Sequence, residues 1–141
     1  RSYGGLIDSY RMDDAESAIV TMGSMTGAAK EAVDMARKNG VKIGLIKVRA
    51  LRPFPKDRLI KALANVKSFG VIDRNVSFGW NTGVVYQEIK SALYESGRIV
   101  PSVPFIGGLG GEDLTVDMMY GAIQLIAEVS ENHETVWLTR E

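Results

Sequence analysis

The side chains best suited to chemistry at a fixed spacing are Arg49 and Arg52, which lead into the corner Arg52-Pro53-Phe54-Pro55. A guanidinium is a planar fork of donors that suits a carboxylate, a phosphate or a partner's acidic side chain. The same two residues can instead pair within the chain, with Asp57 or another local acid. Each proline removes a backbone donor, fixes its own φ and pushes the residue before it towards extended geometry. The corner is therefore a stiff turn. Phe54, held between two prolines, cannot easily fold back into a core, and a rigid exposed aromatic makes a good interface anchor. Simple packing is the competing reading.

Three further stretches invite a chemical reading. Gly23-Ser24-Met25-Thr26-Gly27 lies between a strand pattern and a helix pattern, where backbone N–H groups can hold an anion. It lacks both the dinucleotide G-x-G-x-x-G spacing and the P-loop G-K-[ST] ending, and Ser24 or Thr26 as a plain N-cap explains it as well. Asp73-Arg74 is followed by Ser77-Phe78-Gly79-Trp80-Asn81. A lone carboxylate there has no matched general acid nearby, and Trp80 reads as a contact residue or a lid over a helix start. Gly107-Gly108-Leu109-Gly110-Gly111 holds four glycines in five residues, which implies positive φ or close backbone approach. The acids Glu112 and Asp113 beside it repel a phosphate but suit a helix N-terminus, so an interface or tight turn is the better reading. His133, the only histidine, sits in a polar loop, and one histidine makes neither a triad nor a metal site.

Strands and helices must position these residues, and hydrophobic periodicity gives their order. Strands are expected at 17–22, 41–48, 69–73, 103–106 and, at a sheet edge, 135–139. The inward faces expected of the intervening helices are Ala28, Ala29, Ala32, Val33 and Ala36; then Leu59, Ile60, Leu63 and Ala64; then Val85, Ile89, Ala92 and Leu93; then Val116, Met119, Ile123 and Ile126. Asn39-Gly40 reads as a C-cap pair, Pro55 as a first-turn proline and Thr115 as a helix opener. Strands alternating with helices imply right-handed crossovers and a mainly parallel sheet covered on both faces, a three-layer α/β/α domain. Residues 1–12 read as an arm docking elsewhere, and residues 13–141 as one domain.

Composition excludes several classes. The 17 basic and 17 acidic side chains cancel, and no basic stripe appears, so nucleic acid and anionic membrane are poor partners. No run approaches the ~18 apolar residues of a membrane span, and no signal peptide is visible. With no cysteine, the chain carries no disulfide, thiolate zinc site or cysteine-held iron–sulfur cluster, which fits a cytoplasmic location. A start at Arg1 rather than methionine suggests a piece of a longer or processed polypeptide.

Taken together, Val20-Thr21-Met22-Gly23-Ser24, the Arg52–Pro55 corner, Ser77-Phe78-Gly79 and Phe105-Ile106-Gly107-Gly108-Leu109-Gly110-Gly111-Glu112-Asp113-Leu114-Thr115 resemble one family. It is the alpha subunit of pyruvate:ferredoxin oxidoreductase (pyruvate synthase), in its carboxyl-terminal domain, which is similar to the transketolase carboxyl-terminal domain. The resemblance runs from about Asp13 to Trp137. It implies oxidative decarboxylation of a 2-oxoacid, pyruvate before oxoglutarate or branched-chain acids. Thiamine diphosphate with magnesium forms the carbanion, iron–sulfur clusters in partner subunits pass electrons to ferredoxin, and coenzyme A accepts the acyl group. It further implies that this domain frames and assembles the active site, with the catalytic, cofactor and metal residues in a preceding domain and in other subunits. Arg49, Arg52, Pro53, Phe54, Pro55, Trp80, Gly107, Gly108, Gly110 and Gly111 would then form an interface along the strand ends. Two rivals stand beside this: a free-standing domain holding a small anion on the Gly23–Gly27 turn, and a transketolase-type subunit that needs no ferredoxin.

Overall fold

The structure, a computed structural model, describes residues 7–22, 26–48, 56–73, 84–97, 100–107, 115–131, 134 and 136–138. The elements run β1 (Ile7–Tyr10), β2 (Ser17–Met22), α1 (Thr26–Lys38), β3 (Ile43–Val48), α2 (Lys56–Ala62), β4 (Ser68–Asp73), α3 (Val84–Glu95), β5 (Ser102–Gly107), α4 (Val116–Glu128) and β6 (Val136–Leu138). They build one six-stranded sheet in the order β1-β3-β2-β4-β5-β6. Every neighbouring pair is parallel except β1 against β3, which is antiparallel. The strand after α1 lies on one side of β2 and the strand after α2 lies on the other, so the direction of winding reverses between β2 and β4.

Both faces of the sheet are covered, because the central strands are apolar at nearly every position and successive residues point to opposite faces. Ile19, Ile43, Leu45, Ile72, Val103 and Phe105 meet Ala29, Ala32, Val33 and Ala36 of α1 and Met119, Ala122, Ile123 and Ile126 of α4. On the other face Ala18, Val20, Ile46, Val48, Phe69 and Val71 meet Leu59 and Leu63 from the α2 region and Tyr86, Ile89 and Leu93 of α3. The result is the expected three-layer arrangement. Ala64 departs from it: it is exposed, because α2 ends at Ala62 and the Ala64 N–H bonds only as far back as the Lys61 carbonyl, which swings the chain off the sheet. The four-residue strand β1, from the segment read as an arm, docks on the chain's own sheet with Ile7 opposite Val48 and Tyr10 opposite Leu45.

Local signals close the elements. Gly40 has φ +88°, and the Val41 N–H reaches back to the Ala36 carbonyl, so Asn39-Gly40 ends α1 in the left-handed turn that favours glycine. The Thr115 hydroxyl accepts from the Met118 N–H at 3.1 Å and caps α4. At the amino-terminal edge, serines open β2, β4 and β5. Ser17 and Ser68 share a hydrogen bond of 2.8 Å, and the Ser68 hydroxyl also lies 2.8 Å from the Ile126 carbonyl, tying α4 to the sheet.

One glycine sets the spacing between α4 and the sheet. A Cβ on Gly70 would lie 2.9 Å from Phe105 Cε2 and closer still to Ile126. Gly70→Ala is expected to destabilise the protein by about 1–3 kcal/mol through overpacking, read as a lower denaturant midpoint with an unchanged slope. A midpoint equal to wild type would show that α4 is not seated as described.

Candidate functional site: the strand-end edge and a lateral cleft

Parallel strands joined by helices all finish at one edge of the sheet. Here that edge carries, side by side, the ends of β3 at Val48, β2 at Met22, β4 at Asp73 and β5 at Gly107. The chain connects Val48 to α2 through Arg49–Pro55, Asp73 to α3 through a stretch containing Trp80, and Gly107 to α4 through Gly108–Gly111. The topology thus starts all three expected interface stretches from one edge, beside the reversal of winding where open α/β sheets place their sites. Gly107 is the last residue of β5. Arg49, Arg52, Pro53, Phe54, Pro55, Trp80, Gly108, Gly110 and Gly111 lie outside the described residues, as do Ser24, Arg74 and His133.

At the same edge the Thr21 hydroxyl is buried with no hydrogen-bond partner. The alternation that sends Ile19 into the α1 and α4 face sends Thr21 there too, level with Lys47 in the β2–β3 register. Helix α1 begins nearby with no acid in its first turn, whereas α2 and α4 carry Asp57 and Asp117 in theirs.

A lateral cleft of about 290 Å³ opens between β1, β3 and α1, lined by Asp8, Ser9, Tyr10, Lys30, Leu45 and Lys47. Its floor is held by Tyr10, whose hydroxyl donates to the two Asp34 carboxylate oxygens at 2.9 and 3.0 Å. The ammonium of Lys30 lies 5.3 Å and the guanidinium of Arg11 5.5 Å from the Tyr10 ring centre. Arg11 also pairs with Asp34 at 3.0 Å and has φ 57°, the turn that ends β1. Behind this wall Arg37 fastens the segment between β1 and β2. Its Nε donates to the Ile43 carbonyl at 2.8 Å, and its Nη2 donates to the Arg11 carbonyl at 2.7 Å and to Asp14 at 2.8 Å. Gly44 lets the segment lie flat, since a Cβ there would sit 2.8 Å from the Arg11 carbonyl oxygen.

Sequence reasoning missed this cleft. Its walls come from a short strand and a helix that periodicity does not join, and Arg11 carries no sign of its backbone conformation. Two lysines and one aspartate can hold an anionic group weakly. Among the described residues no three His, Cys, Asp or Glu side chains converge.

The fold defines a doubly wound α/β/α domain of the kind found in transketolase-like enzymes. It matches a "Split gene transketolase, inactive beta4 tetramer" with TM-score 0.64 at 16% identity, over 88% of this chain and 42% of that one. It also matches a 2-oxoglutarate:ferredoxin oxidoreductase from Magnetococcus marinus, solved with 2-oxoglutarate, coenzyme A and succinyl-CoA bound, with TM-score 0.61 at 18% identity, over 86% of this chain and 20% of that one. At such identities the likeness is one of fold. Sequence carries it further: the family model for pyruvate:ferredoxin oxidoreductase core domain II matches residues 15–119, and the chain belongs to that family. It is 50% identical, over its full length, to the alpha subunit of NADH-dependent phenylglyoxylate dehydrogenase of Aromatoleum evansii, and covers 35% of that subunit. It is 42% identical over 96% of its length to pyruvate synthase subunit PorA of Methanosarcina barkeri, covering 34% of it. To ketoisovalerate oxidoreductase subunit VorA of Pyrococcus furiosus it is 41% identical over 97% of its length, covering 36% of it. The chain therefore spans about a third of the length of these curated relatives, and the resemblance read from its motifs holds.

Two outcomes test the local geometry. Gly44→Ala is expected to lift the 7–12 segment, seen as faster amide exchange in β1 with β4 and β5 unchanged; unaltered exchange in β1 would contradict the close approach. The Arg37 guanidinium, by its hydrogen bond, holds the Asp14 carboxyl below its ordinary 3.8. A lowered folded-state pKa contributes stability above the unfolded value, lost as pH falls through the folded value. Asp14→Asn should therefore lower Tm at pH 7, and the gap to wild type should close below pH 3.8. A gap independent of pH would contradict the pair.

Proposed function

We propose that this chain is the non-catalytic framing domain of a thiamine-diphosphate-dependent 2-oxoacid:ferredoxin oxidoreductase. The complex oxidatively decarboxylates pyruvate to acetyl-CoA and CO2 and passes the electrons to ferredoxin. The observation that carries the reading is family membership over residues 15–119, joined to a sheet edge that gathers the stretches holding Arg49, Arg52, Phe54, Trp80 and the Gly107–Gly111 loop. That edge packs on the preceding domain of the same subunit and on other subunits. Thiamine diphosphate, magnesium and the iron–sulfur clusters sit in those parts, coenzyme A is the acyl acceptor, and the complex works in the cytoplasm. The absence of cysteine from all 141 residues supports placing the clusters elsewhere.

A second reading of the substrate is favoured by the 50% identity to the phenylglyoxylate enzyme's alpha subunit: an aromatic 2-oxoacid, with NAD taking the electrons. A framing domain touches neither the oxoacid nor the electron acceptor, so identity within it bears weakly on this choice. Turnover of pyruvate, phenylglyoxylate and 2-ketoisovalerate by the purified complex, with ferredoxin or NAD as acceptor, decides it.

Phe54→Ala is expected to weaken assembly, giving a smaller or dissociating complex on gel filtration, with the circular dichroism of the subunit unchanged. A mutant complex that elutes as wild type would contradict the interface. Titration of this 141-residue chain by itself with thiamine diphosphate in a calorimeter should give no binding; tight binding would favour the anion-holding rival.

A further inference from the structure

Lys47 and Lys30 line the lateral cleft from two different elements, β3 and α1. The alternation that sends Leu45 towards α1 sends Lys47 the same way, and Lys47 is half-buried there. Lys30 is exposed, with its ammonium 5.3 Å from the Tyr10 ring centre. The ion pairs among the described residues, Arg11–Asp34, Arg37–Asp14 and Lys67–Glu16, include neither lysine.

The charges around the cleft do not cancel. Asp34 is taken up by the Tyr10 hydroxyl and by Arg11. Glu31 adjoins Lys30 on α1, where residues one apart do not face each other. Asp8, opposite Lys47 in the β1–β3 register, is the acid that lines the cleft. On its other side Lys47 neighbours Thr21 in the β2–β3 register, and the Thr21 hydroxyl is buried without a partner. Helix α1 adds its amino-terminal end, which has no acid in its first turn. Two ammonium groups against one carboxylate leave a positive excess on a concave surface, where low-dielectric walls focus the field.

We propose that the lateral cleft binds a small, singly charged carboxylate, held between the Lys30 and Lys47 ammonium groups. Its volume of about 290 Å³ admits an acid of a few carbon atoms. One carboxylate matches the excess charge, whereas a doubly charged phosphate exceeds it and is repelled by Asp8. The proposal needs only residues of this chain, and it stands whether or not the chain frames an active site.

Pulse acetylation with N-hydroxysuccinimidyl acetate, read by peptide mass spectrometry on the intact protein, tests it. Acetate is the carboxylate probe and inorganic phosphate its rival, each compared with chloride at matched ionic strength so that screening is constant. Acetate is expected to slow Lys30 and Lys47 about twofold when its concentration reaches its Kd, with the exposed Lys38 and Lys61 unchanged. Equal rates in acetate and chloride at both cleft lysines overturn the proposal. Phosphate protecting as well as acetate overturns the singly charged class. Asp8→Asn removes the repelling acid and should improve protection by phosphate; no improvement contradicts the charge match. Lys47→Gln should abolish the protection of Lys30, and a folded variant that keeps it overturns the two-lysine site. Should that variant not fold, Lys30→Gln, at an exposed position, is read at Lys47 in the same way.

Discussion

Everything in this domain follows from burying both faces of a parallel sheet. A strand covered on both sides must be apolar at nearly every position, and β3 shows it, with five of its six residues buried. A parallel neighbour is reached only by a crossover that travels the length of the sheet. Helices therefore occupy both faces, and every strand-to-helix turn falls at the same edge. The edge that collects Val48, Met22, Asp73 and Gly107 is a consequence of core burial, present before any function is assigned to it.

That constraint separates stability from recognition. The two apolar clusters, the serine row at the amino-terminal edge and the close approach at Gly70 hold the layers together. Apart from Val48, which ends β3 and belongs to one of the clusters, those residues lie away from the strand-end edge. The residues free to diverge in chemistry are the connecting stretches that leave that edge, and these hold the arginine forks, the aromatics Phe54, Phe78 and Trp80 and a glycine loop. A protein surface needs shape and a few rigid aromatics, whereas a decarboxylation centre needs charge aimed at a developing carbanion. The proposed framing role matches the first set of parts.

Much of this was legible in the chain itself. The β2 strand follows from Ser17–Thr21 being an unbroken buried run, and α4 from the spacing of Met119, Ile123 and Ile126 after Thr115. β1 was not legible as a strand. In Ile7-Asp8-Ser9-Tyr10 the two middle residues are both polar, and only pairing with β3, more than thirty residues away, gives the segment a place. Ala64 was expected inward because periodicity does not say where a helix stops. The lateral cleft needed β1 and was lost with it. The stretches proposed as the interface were legible as motifs, and their side-chain geometry lies outside the described residues.

The central claim is that the strand-end edge grips protein. Hydrogen–deuterium exchange on this chain alone and on the assembled complex, each with and without thiamine diphosphate, tests it most directly. The account predicts that peptides covering 49–55, 74–83 and 108–114 slow markedly on assembly and do not respond when the cofactor is added to this chain alone. Slowing on cofactor addition to this chain alone, or no slowing in the complex, would contradict it.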